Sequence, residues 1–135
     1  MGVAIGGAIA VSSPAGAAPS PFDGDWNVTL NCPPSPDGRA MAFSYEFRAQ
    51  VKDGALLGER GDAGQPGWLK LSGPIRQDGS ASLTAQGVTN LSAYALYNVA
   101  KGTPFKRAVS ARFEGAKGAG EWITLRTCTF AFEKR

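Results

Sequence analysis

Cys32 and Cys128 are the only cysteines in the chain and stand near its opposite ends. Each lies in a stretch whose apolar residues recur at every second position, the period of a half-buried strand. In DWNVTLNC, Trp26, Val28, Leu30 and Cys32 share one face; in EWITLRTCTFAFEK, Trp122, Thr124, Arg126, Cys128, Phe130 and Phe132 do. If the two strands run antiparallel with Cys32 opposite Cys128, Leu30 falls opposite Phe130 and Val28 opposite Phe132. A disulfide and two apolar pairs then use one register. The first strand is joined to the last, and the sheet closes without free edges. Closing so long a loop stabilises by roughly 4 to 5 kcal/mol in the chain-entropy account.

Such a bridge suits an oxidising compartment. Residues 1–17, MGVAIGGAIAVSSPAGA, carry no charge and combine an apolar run (Val3 to Val11) with a small-residue end. They read as a secretory signal peptide cleaved before Ala18, with any basic n-region upstream of Met1. The run is about half of the ~20 residues a membrane span needs, so no span is expected. Residues 18–21 read as a short linker and residues 22–135 as one domain, periplasmic or secreted and expected to be monomeric.

Between the two cysteines the same period returns. Met41, Phe43, Tyr45, Phe47, Ala49 and Val51 alternate with polar or small residues, and Asp53-Gly54 is the two-residue hairpin signal, because both turn positions need positive φ. ALLGERG returns as the next strand. A second hairpin around Asp78-Gly79 pairs Leu69, Leu71, Gly73 and Ile75 with Ala81, Leu83, Ala85 and Gly87, small residues that suit a tight barrel interior. NLSAYALYNVAKG, Asn90 to Gly102, fits a short helix with an Asn cap and a terminal Gly. Phe105, Arg107, Val109, Ala111 and Phe113 resume period two, GAKGAG reads as a turn, and EWITLRTCTFAFEK reads as one last long strand.

The expected fold is an all-β, up-and-down antiparallel barrel of seven or eight strands with one short helix. Seven strands are countable, and seven would leave the first and last parallel. Either a strand is hidden, for example in NLSAYALYNVA, or that segment is a crossover that restores antiparallel closure.

The chain has no histidine, which removes Ser-His-Asp and Cys-His catalysis and His-based metal sites. Two distant cysteines make neither a CxxC pair nor a thiolate metal site, so no metal and no cofactor are expected. The formal charge of +3 is spread over scattered Lys and Arg residues with no run longer than two, which argues against a nucleic-acid partner. Two acids alone can hydrolyse a glycoside. Here, however, Glu46, Glu114 and Glu133 fall on outward strand positions and Asp23, Asp37, Asp53 and Asp78 on turns. No enzyme activity is expected.

Inward charges are the remaining clue. Arg107 and Arg126 fall on apolar faces, and either Glu59 or Arg60 must point inward from LLGER. One account is a buried ion pair of Glu59 with an arginine, Arg107 first, since unpaired buried charge is costly. The other is an arginine-lined mouth for an anionic ligand. Trp68, Tyr94, Tyr97 and Trp122 are candidates for an aromatic rim, or equally for packing of the short helix.

The start FDGDW followed by DGALLGE resembles streptavidin- and lipocalin-type barrels, which implies that Trp26 plugs one barrel end. The stretches FDGDW, VKDGALLGERG, GQPGWLKLSGPIRQDGSASLTAQG, KGTPF, ARFEGAKGAG and LRTC are similar to an uncharacterised family of exported alphaproteobacterial domains. That resemblance implies no activity. The expected function is a non-catalytic binding module for a small ligand or a cell-envelope protein. The alternative is an interaction or inhibitor domain acting through loops such as PPSPDGR (Pro33 to Arg39). A barrel interior above about 300 Å³ would favour the first.

Overall fold

The structure, a computed structural model, describes residues 19–135; the expected signal peptide lies outside them. Eight antiparallel strands form a closed barrel in chain order: β1 Gly24–Cys32, β2 Phe43–Lys52, β3 Ala55–Arg60, β4 Leu69–Pro74, β5 Ser80–Val88, β6 Pro104–Glu114, β7 Lys117–Ile123 and β8 Thr127–Lys134. β1 pairs β8 with Val28 opposite Phe132 and Leu30 opposite Phe130. The Cys32–Cys128 disulfide joins the same two strands, with Cα atoms 4.3 Å apart. The register read from the cysteines is the one observed.

The eighth strand was hidden in GAKGAG. Only Gly115 and Ala116 separate β6 from β7, and Gly118 and Gly120 then take inward positions, opposite Phe113 and Ala111. A Cβ on Gly118 would sit 2.7 Å from the Phe113 ring, so glycine makes room for an aromatic. The same substitution removes the apolar signal by which a strand is recognised. The expected last strand is therefore two strands. Trp122 pairs with Cys128, and Thr124 to Arg126 form the turn between them, with the Thr124 N–H donating to Arg126 O at 3.0 Å. Eight strands remove the parity conflict.

The expected helix is a second correction. Residues 92–98 hold two single 3₁₀ turns, Ser92–Tyr94 and Leu96–Asn98, with no side-chain cap from Asn90 and with Tyr97 at φ +58°. A continuous helix would need the carbonyls of Ala93 and Tyr94 for its own ladder. Here the Met41 N–H donates to Ala93 O at 2.8 Å, and Arg126 Nη2 donates to Tyr94 O at 2.6 Å. Met41 itself precedes β2 and is exposed rather than inward.

The two barrel ends differ. One is closed by short turns and by aromatics: Trp26 and Phe113 pack edge to face at 5.3 Å, Phe113 meets Phe132 at 4.6 Å, and Phe22 covers them. Trp26 Nε1 donates to Phe22 O at 2.9 Å, so the indole is satisfied as it plugs this end. Asp23 fixes the neighbouring turn by accepting the N–H groups of Asp53 (3.1 Å) and Gly54 (3.0 Å). Those bonds, Gly54 first, hold its carboxyl below the usual 3.8 against an opposing desolvation. Asp53 and Gly54 both have positive φ, as the hairpin signal required. The other end carries the long connections, 33–42, 61–68 and 89–103, and the short turn 124–126.

Candidate functional site

The barrel is filled from the aromatic plug up through Val28, Leu71, Leu83, Val109 and Phe130, all essentially inaccessible. Above them the interior opens. A cavity of about 660 Å³ lies under the 89–103 connection, within the range that accommodates small molecules. Its wall is built from strand positions near the open end: Leu30 of β1, Phe43 and Tyr45 of β2, Leu69 of β4, Val88 of β5, Phe105 and Arg107 of β6 and Trp122 of β7. Its roof is Leu91, Tyr94, Ala95, Leu96, Tyr97 and Val99. Period two explains the wall, since every second residue of each strand must point inward whether or not the core reaches it.

Of the residues expected at a site, Arg107, Arg126, Trp68, Tyr94, Tyr97 and Trp122 do line this one cavity. Their roles differ. Trp122 is wall, buried and packed on Phe105 at 5.7 Å and Phe130 at 6.2 Å. Tyr94 meets Phe43 at 6.3 Å. Tyr97 is 78% exposed and belongs to the rim. Six of the seven large apolar residues left exposed among the described residues sit at this end: Met41, Leu91, Tyr97, Val99, Ile123 and Leu125, with Leu57 the exception.

Glu59 is not part of the site. It is exposed on the outer face, where it accepts the Trp68 Nε1–H at 2.6 Å, and the expected Glu59–Arg107 ion pair does not exist. The hairpin decides this. A two-residue turn sets Val51 opposite Leu56, so Leu56, Gly58 and Arg60 point inward with Val51, and Glu59 points out. Arg60 donates to Gly67 O and lies 3.8 Å from the Tyr45 ring centroid.

Three inward guanidiniums therefore occupy the open end. Arg126 is 6% exposed and donates Nη1 to Pro33 O and Met41 O, both at 3.1 Å, and Nη2 to Tyr94 O. Its charge is met by carbonyls rather than by a carboxylate, and burial pulls its pKa below the ordinary arginine value. Arg107 donates Nη1 only to its neighbour Lys106 O, at 3.0 Å. No acid, imidazole or thiol lines the cavity among the described residues. The polar residues of the lining are Arg107, Arg126, Lys106, Asn90, the tyrosines, and Thr89, Thr103 and Thr124.

Phe43, Tyr45 and Phe105 were read as core positions and turn out to be wall. Their signal was position: all three lie at strand ends on the side with long connections. No helix among the described residues is long and apolar enough to cross a membrane. No family model, curated protein or solved structure matches the chain.

Proposed function

We propose that this domain is a non-catalytic binding module that takes one small, largely apolar molecule into the open end of the barrel. The observation that carries the reading is the cavity itself: about 660 Å³, walled by aromatic and aliphatic side chains and rimmed by exposed apolar residues. It falls within the roughly 300–1,000 Å³ of small-molecule pockets, which favours ligand binding over action through the loops alone. The lining supports binding rather than catalysis. It offers hydrophobic surface, hydroxyls and cations, and no carboxylate, imidazole or thiol among the described residues. The disulfide, together with the leader-like residues 1–17, supports work in an oxidising compartment, periplasmic or secreted.

The test uses Nile red, a neutral dye whose emission reports an apolar site, titrated into the disulfide-bonded protein. Saturable binding at one dye per chain is expected, with quenching of tryptophan emission because Trp68 and Trp122 line the cavity. Ala95→Trp, which fills the site from its roof, should abolish the dye signal while leaving the fold intact by circular dichroism. Absence of saturable binding, or dye binding untouched by Ala95→Trp, would refute the proposal.

A further inference from the structure

Resting on that reading, we infer that the ligand is a monocarboxylate with an apolar body, and that Arg107 is the residue that receives its carboxylate. The argument begins with the three guanidiniums of the open end. Arg126 is engaged by three backbone carbonyls. Arg60 is engaged by Gly67 O and the face of Tyr45. Arg60 lies outside the lining, and of the arginines that line the cavity Arg107 alone keeps a guanidinium edge with no acceptor. Its Nε is buried without an acceptor in the protein, the only buried side-chain nitrogen or oxygen so placed among the described residues.

Position makes that edge useful. Arg107 stands on β6 one inward step below Phe105, with its guanidinium carbon 5.6 Å from the Phe105 ring centroid. Its cross-strand partner is the small, fully buried Ala85, and the arginine itself lines the cavity. The head group of a ligand would therefore meet Arg107 at the wall while its body lay against Phe43, Phe105 and Trp122.

A buried charged donor without a partner is costly, and a carboxylate relieves it by taking two parallel N–H bonds from one guanidinium edge. A single free guanidinium edge seats one planar two-oxygen acceptor such as a carboxylate, and Arg126, the other arginine of the lining, already has its three bonds. Glu59, the only carboxylate that sequence alone set against Arg107, is on the outside. Nothing acidic in the lining competes for the site among the described residues.

The experiment compares decanoate with 1-decanol, which share a tail and differ in charge, by displacement of Nile red. The wild-type protein should prefer decanoate by about ten- to a hundredfold, the range of a charge-assisted hydrogen-bond pair. Arg107→Gln should reduce that preference, measured as the ratio of the two affinities on the same variant, to less than about threefold. If Arg107→Gln does not fold, the wild-type protein labelled with ¹⁵N-arginine provides a second readout. The Arg107 Nε–H resonance should move on adding decanoate and stay in place on adding decanol. Equal binding of acid and alcohol, or a preference that survives Arg107→Gln, overturns the carboxylate inference while leaving the apolar site standing. Failure of both probes to displace the dye overturns it together with the site.

Discussion

Arg126 lies in the turn between β7 and β8, yet its guanidinium reaches Pro33 and Met41, which flank the first long connection, and Tyr94 in the roof. Replacing it with methionine keeps most of the apolar stem and deletes all three bonds. A hydrogen bond from a charged group contributes about 1.5–3 kcal/mol net, so three give an upper bound of about 4.5–9 kcal/mol. The carbonyls lie at the barrel mouth and regain part of their hydration, and methionine still covers the Phe43 ring that the guanidinium faces at 5.2 Å. The expected loss is therefore about 2–4 kcal/mol, a large share of the roughly 5–15 kcal/mol of a typical domain.

Urea unfolding of the disulfide-bonded protein measures this loss. With a slope of about 1.5 kcal/mol/M, the midpoint of Arg126→Met should fall by about 1.3–2.7 M. Amide hydrogen exchange should accelerate first at Met41, whose N–H bonds Ala93 O, and across residues 92–98. Arg126→Lys should recover less than half of the loss, because one ammonium does not span three carbonyls as a planar fork does. A loss below about 1 kcal/mol, or full rescue by lysine, would refute the view that this arginine holds the open end together.

Two further outcomes follow from the ends of the chain. Replacing both Cys32 and Cys128 with alanine should lower stability by about 2–5 kcal/mol, read as a lower urea midpoint, and reduction of the wild-type protein should reproduce the effect. Asp23 has its pKa lowered in the fold, so its contribution is present above its unfolded value of 3.8 and is lost as pH falls through the lower folded value. Asp23→Asn should therefore destabilise by about 1 kcal/mol at pH 6, and thermal melts should show that gap closing below pH 3.8.

What was legible in the sequence was whatever period two and a paired constraint determined together. Cys32 and Cys128 could face each other only in the register that also matched Leu30 with Phe130, and the structure has that register. Asp53-Gly54 marked its hairpin because few other residue pairs accept positive φ twice. β7 was illegible because Gly118 and Gly120 hold its inward positions, so its pattern is set by the room that Phe113 and Ala111 opposite need rather than by its own residues. The roof was misread as a helix because its apolar spacing is helical while its carbonyls are claimed from outside, by Met41 and Arg126. Glu59 was misassigned although the signal was present. Leu56 and Leu57 are both apolar and obscure the alternation, but carrying Val51 across the two-residue turn selects Leu56 and hence Arg60.

The cavity and the ties around it belong to one arrangement. A close-packed interior is the norm, and an unfilled half-barrel gives up the dispersion contacts that would otherwise hold its strands. At the closed end Trp26, Phe113 and Phe132 supply those contacts, and turns of two to five residues suffice. At the open end aromatic contacts such as Phe105 with Trp122 and Phe43 with Tyr94 run along the wall and leave the centre empty, and the chain adds a covalent bridge between the first and last strands and a guanidinium that gathers three carbonyls. Both act without filling the space. Cys128 pairs with Trp122 across the last hairpin, so the bridge also steadies the indole that walls the cavity. The long connections can then stay apolar and exposed because the strands beneath them do not depend on their packing.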